Sequence, residues 1–176
     1  RMDGGIMTSR LLVDKIEGKS TTTSLDLSAI TNLQVPAGHI IQFVNGRVSD
    51  DRDATTSTSF VQLGDTLSIT PKFSTSKIFL IAVVSIEMSG SGHTAYMDFG
   101  RTTGGTTTKP LSGFSNGIST VYQESWNTKT YTFLDSPSTT SAVAYFCAFK
   151  VSAGTVYIND NSAGNMTNFT LMEIKQ

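Results

Sequence analysis

Four carboxylates in this chain have side chains suited to acid–base catalysis: Glu87, Asp98, Glu124 and Asp135. Glycoside hydrolysis needs two such acids that face each other about 5–9.5 Å apart across a sugar. Glu87 and Glu124 could be neighbours on adjacent strands, but their positions in the sequence do not fix that distance. We therefore expect no catalytic residues and interpret the chain as a non-enzyme, with a carbohydrate-active protein as a remote alternative.

The residues that bind metals or act as nucleophiles are few and scattered. His39 and His93 begin separate apolar runs, with no second His or Cys at metal-ligand spacing. The acidic cluster at residues 50–53, "DDRD", lacks the alternating pattern and central glycine of a calcium loop, which favours a solvated hairpin tip. Cys147, in "VAYFCAF", has no partner for an intrachain disulfide and is interpreted as a small buried hydrophobe. The sequence therefore predicts no metal and no cofactor.

Three aromatic residues are candidates for binding a partner: Phe114, Tyr122 and Trp126. They lie in or beside the longest polar stretch, residues 102–127. Aromatic side chains near loops can stack on sugars or anchor a protein interface, so we take these three as candidate distal-loop contacts to a glycan or a protein. Packing in the core or between subunits is the alternative. The segment "RTTGGTTTK" within this stretch resembles a phosphate-binding loop only in composition, and we expect a mobile loop there.

Composition limits the classes of partner. Only 15% of the residues are charged and the net charge is −1, which gives no basic surface for nucleic acid. The most apolar run has about twelve residues, whereas a membrane helix needs about 20. The high Ser and Thr content could indicate disorder, but ten Phe and five Tyr indicate a packed core for most of the chain.

The elements that position these residues are predicted to be strands. Short apolar runs alternate with Gly, Asn, Ser and Pro, and no helix longer than a turn or two is expected. Period-two alternation places Leu67 with Ile69, Tyr131 with Phe133, and Phe169 with Leu171 on shared faces. We split "SFVQLGDTLSIT" at its Gly-Asp pair and read Asn127-Thr128 as a tight connection. The fold class predicted is all-β, an antiparallel, jelly-roll-like β-sandwich.

In the run "KIFLIAVVSIEM" apolar and polar residues do not alternate, as they would in a strand with one solvent-exposed face. Both of its faces should be covered, one by the opposite sheet and the other by a neighbouring subunit or by the N-terminal arm. One alternate set, either Ile78, Leu80, Ala82 and Val84 or Phe79, Ile81 and Val83, should lie at a subunit contact. We take Phe79, Ile81 and Val83 as the candidate subunit contacts.

The first 36 residues differ from the rest in having no aromatic side chain. We interpret residues 1–36 as an extended attachment arm and residues 37–176 as the sandwich domain. Met7 is a plausible start, which would make residues 1–6 a leader or a cloning remnant. The apolar side chains expected to dock the arm are Leu11, Leu12, Val13, Ile16, Leu25 and Leu27.

Several segments resemble small virion proteins of tailed bacteriophages. They include "LLVDKIEGKSTTTSLDLSAITNLQVPAGHIIQFVNG", "SITPKFSTSKIFLIAVVSIEM" and the closing "GTVYINDNSAGNMTNFTLMEIKQ". The resemblance covers about residues 12–175, except residues 102–127. It implies a β-sandwich on the virion surface, a trimer, and binding to other virion proteins, with no catalytic motif to transfer.

Two functions follow from that resemblance. The first is a tail-fibre or receptor-binding protein whose loops contact the host; the second is a capsid decoration (cement) protein that stabilises the head shell. The aromatic-bearing loop favours the fibre, and the short chain favours decoration. Assembly in the bacterial cytoplasm would account for the unpaired cysteine and for the lack of a visible signal peptide.

Overall fold

The computed structural model describes residues 36–47, 52–89, 92–122, 125–159 and 167–176. The predicted arm, with Leu11, Leu12, Val13, Ile16, Leu25 and Leu27, therefore lies outside the described residues except for Pro36. The described residues form eleven strands and no helix: β1 Ile40–Arg47, β2 Asp53–Thr55, β3 Val61–Ile69, β4 Lys77–Ser89, β5 Ala95–Thr103, β6 Thr106–Thr108, β7 Ser119–Val121, β8 Asn127–Asp135, β9 Val143–Val151, β10 Thr155–Ile158 and β11 Asn168–Ile174.

The strands form two antiparallel sheets. In the six-stranded sheet the long strand β4 pairs with β8 on one side and, on the other, with β11 and β10 in succession; β1 then pairs with β11, and β2 with β10. In the five-stranded sheet β9 lies between β3 and β5, and the far side of β5 pairs with β7 and β6. The strands β10 and β11 lie end to end along the same side of β4, and so do β1 and β2 beyond them. In the other sheet β6 and β7 lie end to end along β5, so each sheet is four strands wide.

This connectivity is that of a jelly roll. When β1 and β2, β6 and β7, and β10 and β11 are each counted as one strand position, every connection crosses between the two sheets except the β5–β6 hairpin. The predicted antiparallel β-sandwich is confirmed. One consequence matters for the site: β8 at the edge of the first sheet and β7 at the edge of the second lie on the same side of the sandwich.

The core lies between the inner faces of the sheets, where alternation puts the apolar side chains. In β4 the inward residues Ile78, Leu80, Ala82 and Val84 are all fully buried. In β11 the inward Phe169 ring meets the Phe99 ring of the opposite sheet edge-on, with centroids 5.7 Å apart. The predicted pairs Leu67 with Ile69, Tyr131 with Phe133 and Phe169 with Leu171 all belong to this core or pack against it.

Three local predictions differ from the structure. The Gly64-Asp65 pair does not end a strand: β3 continues through it, with a register shift between Leu63 and Leu67, because Gly64 adopts a positive φ of 74°. Asn127 and Thr128 belong to β8, so the β7–β8 connection lies earlier. The expected loop after Arg101 instead forms a hairpin in which β6 pairs with β5.

Candidate binding surface

The three candidate distal-loop aromatics lie in the segments that lead into β7 and from β7 to β8. Phe114 is 66% exposed and Tyr122 is 68% exposed, the two highest values among the large apolar side chains of the described residues. Trp126 is less exposed, because the guanidinium of Arg52 lies 5.4 Å from its ring. The structure therefore places Phe114 and Tyr122 where a partner could reach them, and Trp126 in a packed surface cluster.

The Asp98 side chain fixes the turn that carries Phe114 through hydrogen bonds. This buried carboxylate accepts hydrogen bonds from the backbone N–H of Leu111 (3.0 Å) and Ser112 (3.2 Å) and from the Ser112 hydroxyl. The Ser112 hydroxyl oxygen in turn accepts a bond from the N–H of Phe114 (3.1 Å), and the Phe114 carbonyl accepts one from Gly117 (3.0 Å). A chain of hydrogen bonds thus fixes the backbone from which the exposed ring projects.

Between the edges of β7 and β8 lies an open groove of about 590 Å³, which we call the lateral groove. Its lining is mostly polar: the hydroxyls of Ser119, Thr130 and Thr132, the Asn127 amide and the Lys129 ammonium. Since β7 ends at Val121 and β8 begins at Asn127, the connection that carries Tyr122 and Trp126 lies at one end of this groove.

Tyr131 lies against the lateral groove, but its hydroxyl is buried. The residue is only 6% exposed, and its hydroxyl makes no hydrogen bond with the described part of the chain. Burial raises the pKa of Tyr131 to about 12. Tyr131 therefore remains a protonated donor near neutral pH.

A second surface cluster surrounds Arg52. Its guanidinium lies 3.9 Å from the ring centroid of Tyr157 and donates a hydrogen bond of 3.0 Å to the Glu87 carboxylate. Tyr157 and Glu87 face each other across β10 and β4. The neighbouring Asp53 accepts a bond from the N–H of Gly64 (2.7 Å). Arg52 is exposed, with 44% of its side chain accessible, as expected for a solvated tip, whereas Asp53 is half-buried and begins β2. Residues 50 and 51 are outside the described ranges.

The candidate subunit contacts lie on the outer face of the six-stranded sheet. Phe79, Ile81 and Val83 alternate with the buried inward residues of β4 and are half-buried in the single chain. Their accessible surface is partly covered by the side chains of adjacent strands. The assignment of these residues to a subunit contact stays a prediction.

The carboxylates considered for catalysis do not form a facing pair among the described residues. Glu87 is on an outer face with Arg52, Asp98 is buried under the Phe114 turn, and Asp135 is buried against Arg101. Glu124 lies outside the described residues. The described ranges also hold no cluster of three His, Cys, Asp or Glu side chains arranged as metal ligands. No helix in them is long and apolar enough to cross a membrane.

Sequence reasoning missed an ion pair that joins the two sheets. Arg101 of β5 donates from one guanidinium nitrogen to both carboxylate oxygens of Asp135 at the end of β8. The Tyr145 hydroxyl of β9 donates to the same carboxylate at 2.7 Å. In the sequence, the alternation of "KTYTFLD" was the only sign that Asp135 points inward, because it places this acid on the same face as Tyr131 and Phe133.

Besides Tyr131, two buried groups in the sandwich resist ionisation. Burial raises the pKa of Tyr145, and the negative charge of Asp135 raises it further. Burial alone raises the pKa of the Cys147 thiol. The thiol is thus an inert core group, as predicted from its apolar neighbours.

These shifts predict a loss of stability at alkaline pH. The folded pKa values of Cys147, Tyr131 and Tyr145 lie above their unfolded values of about 8.5 for Cys and about 10 for Tyr, so the unfolded chain releases protons first as pH rises. Their stabilisation is complete below those unfolded values and declines above them. We expect the free energy of unfolding to fall from about pH 9, by about 1.4 kcal/mol per pH unit for each group that ionises on unfolding.

Urea unfolding measured at several pH values between about 8 and 11 checks this. In Cys147→Ala the decline should begin near the unfolded pKa of tyrosine, roughly one pH unit or more later than in the wild type. A free energy of unfolding that stays constant across this range would contradict the assignment of these groups as buried and protonated.

The fold and surface define an antiparallel jelly-roll protein with an exposed polar groove. No protein-family profile matches the chain, and no curated protein matches it. Among solved structures, it is similar to Eiger TNF from S. frugiperda, with a TM-score of 0.42 and 6% identity over 78% of this chain and 96% of that one. It is also similar to a chain of infectious bursal disease virus, Gt strain (TM-score 0.40, 9% identity, 88% of this chain), and to the VP2 subviral particle of that virus (0.38, 10%, 77%).

The chain spans 42% and 37% of the length of those two viral chains.

Proposed function

We propose that this chain is a virion structural protein of a tailed bacteriophage, and that it acts as a tail-fibre or receptor-binding protein. The observation that carries the proposal is the pair of highly exposed aromatics, Phe114 and Tyr122, on the side of the sandwich that holds the lateral groove. Exposed aromatic rings with hydrogen-bonding groups nearby suit recognition of another molecule. The resemblance of the sequence to tailed-phage virion proteins supplies the setting.

The groove suits a host surface glycan as the ligand. The Ser119, Thr130 and Thr132 hydroxyls can each donate and accept, the Asn127 amide does both, and Lys129 supplies a positive charge for an acidic sugar. A sugar ring could stack on Tyr122 at the end of the groove while its hydroxyls bond to β8. In this proposal binding is the whole activity, and no bond of the ligand is broken.

The rest of the molecule then has an attachment role. Residues 1–36 would dock to other virion proteins, and the sandwich, as a homotrimer, would face outward. Assembly would take place in the host cytoplasm before lysis. Nucleic acid and membrane are not partners in this proposal.

Capsid decoration is the second candidate. It is favoured by the fact that the described strands form one sandwich, with no elongated shaft element among them. A decoration protein would clamp neighbouring capsid subunits and would not need the exposed aromatics for adsorption.

Copy number and adsorption together test the proposal. Mass spectrometry of purified particles should find a few copies confined to the tail, and the purified protein should compete with phage for host cells. Tyr122→Ala and Phe114→Ala should weaken that competition, whereas Thr106→Ala, on the exposed strand β6, should not. Copy number near that of the major capsid protein would instead establish decoration. Cleavage of host polysaccharide that is lost in Glu87→Gln would show an enzyme.

A further inference from the structure

One end of the core contains a buried carboxylate whose charge no cationic side chain balances. Glu173 points inward near the end of β11 and is 0% exposed. Its Oε1 accepts hydrogen bonds from the backbone N–H of Lys72 (2.7 Å) and of Phe73 (3.3 Å). Its Oε2 has no hydrogen-bond partner. No Lys, Arg or His side chain of the described residues forms an ion pair with Glu173.

Two more buried oxygens without hydrogen-bond partners belong to neighbours of Glu173 on the inner face. Gln42 of β1 pairs directly with Glu173, and its Oε1 is buried and unbonded. Ser76 is 1% exposed, and its Oγ is likewise unbonded. Ser76 lies two residues before Ile78, the residue of β4 that pairs with Glu173, so it is a diagonal neighbour of the carboxylate. Opposite and diagonal neighbours across antiparallel strands are about 5–8 Å apart, within reach of long side chains.

The turn between β3 and β4, residues 70–76, ties the Ser76 hydroxyl to the carboxylate. The backbone N–H groups of Lys72 and Phe73 in this turn bind Glu173 Oε1, and the Ser76 N–H donates to the Phe73 carbonyl (3.1 Å). The segment that holds one carboxylate oxygen therefore also carries the third unbonded oxygen. The three oxygens come from β1, from β11 and from this turn.

This arrangement has too many acceptors for its donors. A buried carboxylate is costly unless cations or hydrogen-bond donors compensate it, and the two backbone N–H groups serve only Oε1. The Gln42 amide oxygen opposite is a further acceptor, which adds to the negative potential at Oε2. Lys175 follows two residues after Glu173, but its Nζ lies over the Phe73 ring, 5.0 Å from the centroid. Unsatisfied buried acceptors of this kind indicate a bound ligand that is positively charged.

We propose that Glu173, Gln42 and Ser76 bind a calcium ion, through Oε2, Oε1 and Oγ. All three ligand atoms are oxygens, which suits a hard cation and not a metal that prefers thiolate or imidazole. Ca²⁺ accepts irregular sets of carboxylate, amide and other oxygens at about 2.3–2.6 Å, whereas Mg²⁺ demands a near-ideal octahedron and keeps its waters. The inference is independent of the proposed function.

The composition of the site predicts its affinity and its effect. Affinity for Ca²⁺ falls with the number of charged ligands, so one carboxylate predicts a weak site, with a Kd of about 10⁻⁴–10⁻³ M. The ion would join the edge strand β1, the strand β11 and the turn at residues 70–76. No acidic cluster marks the site in the sequence, because two of its three ligands are neutral and all three are distant in the chain.

The competing arrangement needs no ion. If the Gln42 amide turned its NH₂ group toward Glu173, it would donate to Oε2 and satisfy both side chains. The two arrangements differ in one measurable respect, since only the first makes the stability of the fold depend on calcium.

Thermal unfolding of the full chain in calcium chloride and in EDTA tests the site. At 10 mM calcium the wild-type midpoint should be about 3–6 °C higher than in EDTA, and 10 mM magnesium should give a much smaller rise. Glu173→Gln removes the charged ligand and keeps an acceptor for the turn, so the rise with calcium should be lost. Glu87→Gln is the matched control: Glu87 lies on the outer face with Arg52, and its variant should keep the wild-type response.

A second variant keeps the test valid if Glu173→Gln does not fold. Ser76→Ala removes one neutral ligand from a small side chain, so it should fold and should lower calcium affinity severalfold in calorimetric titration. A wild-type midpoint that ignores calcium would overturn the site and favour the amide as donor to Glu173. A calcium response that survives in Glu173→Gln or is unchanged in Ser76→Ala would place the ion elsewhere. These measurements involve neither particles nor host cells, so the proposed function can fail or succeed separately.

Discussion

Replacing Asp135 with alanine is expected to lower the free energy of unfolding by about 3–5 kcal/mol. The substitution leaves the Arg101 guanidinium without its carboxylate in a mostly buried position and removes the acceptor of the Tyr145 hydroxyl. Asp135 belongs to the six-stranded sheet, whereas Arg101 and Tyr145 belong to the five-stranded sheet. The substitution therefore also removes a polar contact that holds the two sheets together. Urea unfolding followed by circular dichroism measures the effect.

Two comparisons show whether the ion pair is the cause. Tyr145→Phe removes one hydrogen bond to a charged group while keeping the ring, so it should cost only about 1.5–3 kcal/mol. The double variant Arg101→Met with Asp135→Leu replaces both charges by apolar groups and should recover much of the loss of Asp135→Ala. If the double variant is as unstable as the single one, lost packing or the unbonded Tyr145 hydroxyl, and not an unpaired charge, explains the result.

The second large effect is expected for Asp98→Ala. The Asp98 carboxylate accepts from the backbone N–H of Leu111 and Ser112 and from the Ser112 hydroxyl. Alanine leaves both Ser112 donors beside a buried gap, while the Leu111 N–H keeps its second acceptor, the Phe99 carbonyl at 2.9 Å. We expect a loss of about 3 kcal/mol, since charge-assisted bonds are worth about 1.5–3 kcal/mol each and the backbone can recover some of them by moving. The turn that carries Phe114 should become susceptible to proteolysis.

Asp98→Asn is the matched control for this prediction. The amide keeps the shape and one acceptor oxygen, and its NH₂ can donate to the Ser112 hydroxyl, so most of the stability should remain. Urea unfolding and limited proteolysis of the three proteins measure both effects. Equal stability of the wild type and the alanine variant would show that Asp98 does not anchor this turn.

Most of the sheet content could be predicted, because strand formation leaves a local mark on the sequence. In "NFTLMEI" the inward residues Phe169 and Leu171 are two positions apart, and burial follows the same period in the structure. The structure differs from the predicted strands where the backbone conformation, which period-two alternation does not encode, decides the outcome. Gly64 lets β3 pass through a bulge where a turn was expected, and β6 extends the sheet where the Thr-rich composition indicated a loop.

The candidate site was predictable only in part. The exposure of Phe114 and Tyr122 agrees with their position in polar segments, whereas Trp126 packs against Arg52, a residue 74 positions away. The lateral groove could not be foreseen, because it exists only where the edges of two different sheets approach each other.

The sequence by itself determined that this protein is built from strands, and it marked β4 as a strand with two apolar faces. It could not decide which alternate set of that run faces the core, since both sets are apolar. The tertiary structure decided it: Ile78, Leu80, Ala82 and Val84 point inward, and Phe79 joins Leu134, Met172 and Phe43 in a row on the outside. The physical reason is that alternation is a property of neighbours along the chain. Rows across a sheet, and ion pairs between sheets, depend on the register of strands that are distant in sequence.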